Sequence, residues 1–108
     1  MWKVNQTNLS MVEGDYGLTL PITVRGTTLA AGDLISFKVK KLSNRETVLD
    51  KTFADADIEN NTFSLEITST ETARLPADDY VYILDWYRNG MFMCNIIRDG
   101  VFRVEAKP

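Results

Sequence analysis

Apolar and polar residues alternate with a period of two along most of this chain, the spacing that lets one face of a β-strand be buried while the other meets solvent. In Leu18-Thr19-Leu20-Pro21-Ile22-Thr23-Val24 every second residue is apolar, and in Ile35-Ser36-Phe37-Lys38-Val39-Lys40 the core candidates Ile35, Phe37 and Val39 alternate with polar neighbours. Pro21 falls on the polar side of its segment and has no N–H for a ladder, so its strand belongs at a sheet edge or a bulge. After a turn at Ser43-Asn44-Arg45, a third strand runs from Val48 to Phe53 and a fourth from Phe63 to Ile67, with an acidic, turn-rich loop between them. Thr68 and Glu71 stand at capping-box spacing, and Pro76 leaves room for only a short helix. A brief helical corner of this kind carries a Greek-key chain from one sheet to the other.

The last third predicts a hairpin. Tyr80 to Tyr87 and Met91 to Ile97 flank Asn89-Gly90, a pair suited to a two-residue turn with positive φ at both positions. An unbroken register then sets Trp86 opposite Met93, Leu84 opposite Asn95 and Tyr82 opposite Ile97 on one face. On the other face Tyr87 meets Phe92, Asp85 meets Cys94 and Ile83 meets Ile96. Both faces are rich in apolar residues, so the face away from the core needs a cover. Val81, Ile83, Tyr87, Phe92 and Ile96 are therefore the expected interaction surface. Asp99-Gly100 marks a bend or bulge before a final strand from Val101 to Glu105. Together the segments predict an all-β sandwich of about seven to eight strands. A single domain spanning residues 1–108 is expected, with none following Pro108.

The chemistry inventory is short. There is no histidine and a single cysteine among 108 residues, which leaves no Ser-His-Asp or Cys-His relay and none of the usual zinc sites. Cys94 has no partner for an internal disulfide and reads as a small strand residue. Asp78 and Asp79 are adjacent and cannot readily converge on one substrate bond, so no catalytic residue is assigned. Asp55, Asp57 and Glu59 supply oxygens but lack EF-hand spacing, so the loop reads as a solvated turn, with no metal or cofactor expected. Gly14-Asp15 and Gly32-Asp33 read as turns. A net charge of −3 lacks the basic excess needed to neutralise phosphates, and Lys38, Lys40 and Lys41 read as a solvated strand face. No nucleic-acid partner is expected. The N-terminal residues hold no apolar run, so neither a signal peptide nor a membrane partner is expected.

The ordered pattern from Gly14 to Val104 resembles immunoglobulin-like structural proteins of tailed phages and prophages, especially the N-terminal domain of phage baseplate upper proteins. The residues that carry it are Ile35 to Lys41, Phe63 to Thr68, Glu71-Thr72-Ala73-Arg74-Leu75-Pro76, Tyr80-Val81-Tyr82 and Gly100 to Val104. The chain departs from that family at Asp78, where glycine is common, and at Ile83, where an acidic residue is frequent. The resemblance implies an immunoglobulin-like antiparallel β-sandwich acting as a non-enzymatic virion structural or adaptor module. Its partners would be other phage structural proteins or further copies of itself, in the virion or in the bacterial cytoplasm before assembly. A carbohydrate-binding or adhesin-like module is the alternative, with Trp2, Trp86, Tyr80, Tyr82 and Tyr87 as candidate sugar platforms. Their places on alternating strands favour burial in a core or an interface.

Overall fold

The computed structural model describes residues 3–5, 8–12, 18–25, 28–73 and 75–106; Trp2 and Gly14-Asp15 lie outside them. Among the described residues the strands are β1 (Lys3–Asn5), β2 (Asn8–Val12), β3 (Leu18–Thr23), β4 (Asp33–Lys41), β5 (Thr47–Ala54), β6 (Thr62–Ile67), β7 (Asp78–Arg88) and β8 (Met91–Glu105). A single-turn helix, α1 (Ser69–Thr72), separates β6 from β7. The strands form a six-stranded sheet in the order β1-β2-β8-β7-β4-β5 and a two-stranded sheet of β3 and β6. The protein is thus an all-β sandwich.

Alternation accounts for the core. Ile35, Phe37 and Val39 of β4, Tyr80, Tyr82 and Leu84 of β7, and Phe102 and Val104 of β8 turn inward from the larger sheet. Phe63, Leu65 and Ile67 of β6 meet them from the smaller one, and Leu75 is buried beside the corner. Burying each of these large apolar side chains contributes about 1.5–3 kcal/mol. Pro21 sits opposite Ser64 on β3, an edge strand of the two-stranded sheet, as its missing N–H requires.

Local signals shape the corner between the sheets. Thr68 N–H donates to Glu71 Oε1 at 2.9 Å and Glu71 N–H to Thr68 Oγ1 at 3.2 Å, the reciprocal capping box. Burial pushes the Glu71 carboxyl up, but hydrogen bonds from Thr68 and Lys51 outweigh it and hold the carboxyl below its usual range. At the start of β7 the Tyr80 hydroxyl donates to the Pro76 carbonyl at 2.7 Å, a tyrosine corner that locks the entry of the strand. Tyr80→Phe keeps the ring and deletes this bond, so urea unfolding should show a loss of about 1 kcal/mol.

Three expectations are corrected. The sheet is not wholly antiparallel, because β2 runs parallel to β8, pairing Leu9 with Phe102 and Met11 with Val104. The hairpin return and the final strand are one strand of 15 residues. The unbroken register holds only at the turn: Asn89 and Gly90 have positive φ and Tyr87 pairs with Phe92, but beyond that β8 bulges. Trp86 pairs with Cys94, Asp85 with Asn95, Leu84 with Ile97 and Tyr82 with Gly100, so eight steps of β8 answer five of β7. The expected Asp99-Gly100 irregularity is the last of these bulges, with Asp99 at φ 53°.

Candidate functional site

The register places the residues on the outer face of the larger sheet, the face turned away from β3 and β6, in rows across β5, β4, β7 and β8. The row nearest the hairpin turn is Ala54, Leu34, Tyr87 and Phe92, entirely apolar but for one hydroxyl. The next is Thr52, Ser36, Asp85 and Asn95, entirely polar. The third is Asp50, Lys38 and Ile83, with Ile83 opposite the Arg98–Asp99 bulge. Arg98 reaches this face, since its Nη2 donates to Asn95 Oδ1 at 2.8 Å while Asn95 Nδ2 donates to Asp85 Oδ1.

Two features shape the surface over these rows. A groove of about 500 Å³ opens above β4 and β5, floored by Leu34, Ser36, Thr52 and Ala54 and flanked by Tyr87, Lys38 and Asp50. Beside it stands Phe92, 51% exposed, its ring edge-on to Tyr87 at 5.6 Å between centroids. Met91, paired with Arg88 on the opposite face, and Met93, at the first bulge, are also exposed near the turn. At the far end, Arg45 from the β4–β5 turn bonds Asp99 on β8 at 2.8 Å, a bridge that spans β7. Val81, between Lys40 and Val101 in the register, is only 7% exposed. The accessible part of the face is therefore its hairpin end.

Of the expected surface residues, Tyr87 and Ile83 are half-buried on this outer face and Phe92 is exposed there. Val81 is buried within it, and Ile96, displaced by the bulges, packs against the core. Leu34, Ala54 and Asp50 complete the face beside Lys38, which the sequence reads as solvated, and do not announce themselves as surface residues. Their signal was the outward half of the β4 and β5 alternation, which meets the hairpin only once the strand order is known.

A second cluster holds the hairpin end in place. Asp33, 2% exposed, accepts hydrogen bonds from Arg88 Nε at 2.7 Å, Arg88 Nη2 at 3.0 Å and the Ala30 N–H at 2.8 Å. The Arg88 guanidinium, opposing the effect of burial, holds the Asp33 carboxyl down at about 2, with help from Ala30. Arg88 also lies over the Trp86 ring at 5.0 Å, a cation–π contact. The buried Trp86 Nε1–H has no hydrogen-bond partner at normal geometry, though it adds to the lowering of Asp33. Asn89 N–H donates to the Gly32 carbonyl at 2.9 Å, so the β3–β4 loop is stapled to the turn from which Phe92 projects. Asn61 ties down the other side of that loop, accepting from Leu29 N–H at 2.9 Å and donating to the Val24 carbonyl at 3.1 Å.

The carboxylates and aromatics considered for other chemistry have structural places. Asp79 pairs with Arg103 at 2.8 Å, and Asp57 accepts from the Ala54 N–H at 3.0 Å. Among the described residues, no three His, Cys, Asp or Glu side chains group closely enough to hold a metal ion. Tyr80 and Tyr82 are buried in the core, where desolvation pushes the Tyr82 hydroxyl up to about 12. Among the described residues, no helix is long and apolar enough to cross a membrane. Comparison of the chain with protein-family models, with curated proteins and with solved structures finds no match.

Proposed function

We propose that this chain is a non-enzymatic structural or adaptor module of a phage or prophage virion, acting through protein–protein contacts at the hairpin end of its outer face. The observation that carries the reading is the apolar row Ala54, Leu34, Tyr87 and Phe92, with Phe92 exposed at its end. A contiguous apolar patch on a small domain marks a contact surface, and an aromatic knob beside a groove is how such surfaces anchor a partner. The Asp33–Arg88 staple makes that knob rigid, which lowers the entropy cost of docking. The phage assignment is supported by the resemblance carried by Glu71 to Pro76 and Tyr80-Val81-Tyr82. The protein then resides in the particle, and in the bacterial cytoplasm before assembly.

Particles purified from the host strain after prophage induction test this reading. An antibody against the chain should detect it in the density-gradient fraction that holds the tail proteins. Abundant protein in the lysate with none in the particles would sink it.

A further inference from the structure

We infer that the hairpin end of the outer face is covered by a second copy of the same chain, in a two-fold sheet-on-sheet pair. This rests on the reading of that face as an assembly surface, and it names the occupant. A two-fold axis parallel to the strands and running between β4 and β7 lays β4 on the partner's β7 and β5 on the partner's β8. Each row then meets its own reverse.

The rows are complementary to their own reverses. In the apolar row the smallest residue, Ala54, receives the partner's Phe92, and Leu34 meets the partner's Tyr87. A groove of about 500 Å³ beside an exposed phenyl ring is a hole beside a knob, and a two-fold fills both holes at once. In the polar row the Ser36 hydroxyl faces the partner's Asp85 carboxylate, and Thr52 faces the partner's Asn95. In the third row Asp50 and Arg98 stand at opposite ends, so the reversal sets each carboxylate against the other copy's guanidinium. The aliphatic stem of Lys38 lies over the partner's Ile83. An axis across the strands through the same row would stack Asp50 on Asp50 and Arg98 on Arg98, so charge selects the first alignment.

Size sets the strength. Four strands about 4.8 Å apart and three rows bury roughly 400 Å² on each copy, at the small end for a specific interface and in the range of weak, transient ones. Aligned packing at about 30° concentrates contact near the axis. So small a contact fits a weak, transient pair, for which tens of micromolar, about 6–7 kcal/mol, is the working range.

Sedimentation velocity of the full chain from about 1 µM to 1 mM tests the pair, with thermal melts confirming that each variant folds. Wild type should pass from monomer to dimer across that range. Phe92→Asp and Ala54→Arg, both at exposed positions, should remain monomeric throughout. Asp50→Arg and Arg98→Asp should each weaken the dimer about tenfold by placing like charges together, and the double variant should restore it to within about threefold. A wild type that stays monomeric, or a dimer indifferent to Phe92→Asp, overturns the inference. So do single charge variants that weaken association without recovery in the double. A monomeric chain still found in particles would remove the second copy and leave the assembly reading standing.

Discussion

Asp33→Ala should cost about 3 kcal/mol of unfolding free energy at neutral pH, seen as a fall in Tm of roughly 10–15 °C. The substitution removes both Arg88 contacts and the acceptor for Ala30 N–H, leaving the Asn89–Gly32 backbone bond to hold the β3–β4 loop to the hairpin. The cost stays below that of breaking a fully enclosed pair because the Arg88 side chain is partly exposed and can regain water. The pH dependence identifies the cause. The Asp33 carboxyl is lowered from 3.8 to about 2 in the folded protein, so its contribution is complete above about pH 4 and is lost as pH falls toward 2. The gap between wild type and Asp33→Ala should therefore narrow across that acid window, and urea unfolding at pH 7 and near pH 2.5 measures it. An unchanged gap would show that the carboxylate charge is not what holds the corner.

Gly100→Ala should cost about 2–3 kcal/mol, although it adds a single methyl group to a strand. A Cβ at Gly100 would lie 2.5 Å from Cε1 and 2.7 Å from Cζ of Tyr82. That ring cannot move aside cheaply, because it is buried and packs against Phe37 at 5.6 Å between centroids. The cross-strand glycine is the gap into which the tyrosine fits. Gly90 supplies the contrast, since a Cβ there meets nothing within 4 Å and only its positive φ is strained. Chemical denaturation of Gly100→Ala checks the expectation, and a neutral result would mean that β8 can shift at its last bulge to make room.

The parts of this fold that were legible in the chain are those set by neighbours in sequence. The β4 and β6 alternation, the Thr68–Glu71 box, the Asn89-Gly90 turn and the edge place of Pro21 each need only a few adjacent residues. What escaped reading depends on distant partners. The Leu9-Ser10-Met11-Val12 stretch is too short to declare itself, and it becomes strand by pairing in parallel with β8 at the far end of the chain. Asp33 and Asn61 have the composition of turn residues, while their work is to bond Arg88, Leu29 and Val24. The contact face was half legible for the same reason. The Tyr87–Phe92 pair follows from the turn, but the bulges beyond it sent Ile96 to the core and brought Arg98 to the surface.

The parallel pairing of β2 with β8 has a mechanical meaning. These strands lie near opposite ends of the chain, and a pull applied to those ends drives them in opposite directions along their shared axis. β1, antiparallel to β2, would unzip one bond at a time. The β2–β8 ladder, from Leu9–Phe102 to Val12–Glu105, is instead loaded in shear, with its hydrogen bonds sharing the force together. Leu9, Met11, Phe102 and Val104 are buried behind that ladder, so sliding it would also drag apolar side chains through the core. A pull on the two ends would therefore meet its main resistance at β2 and β8, and separating β1 would cost far less.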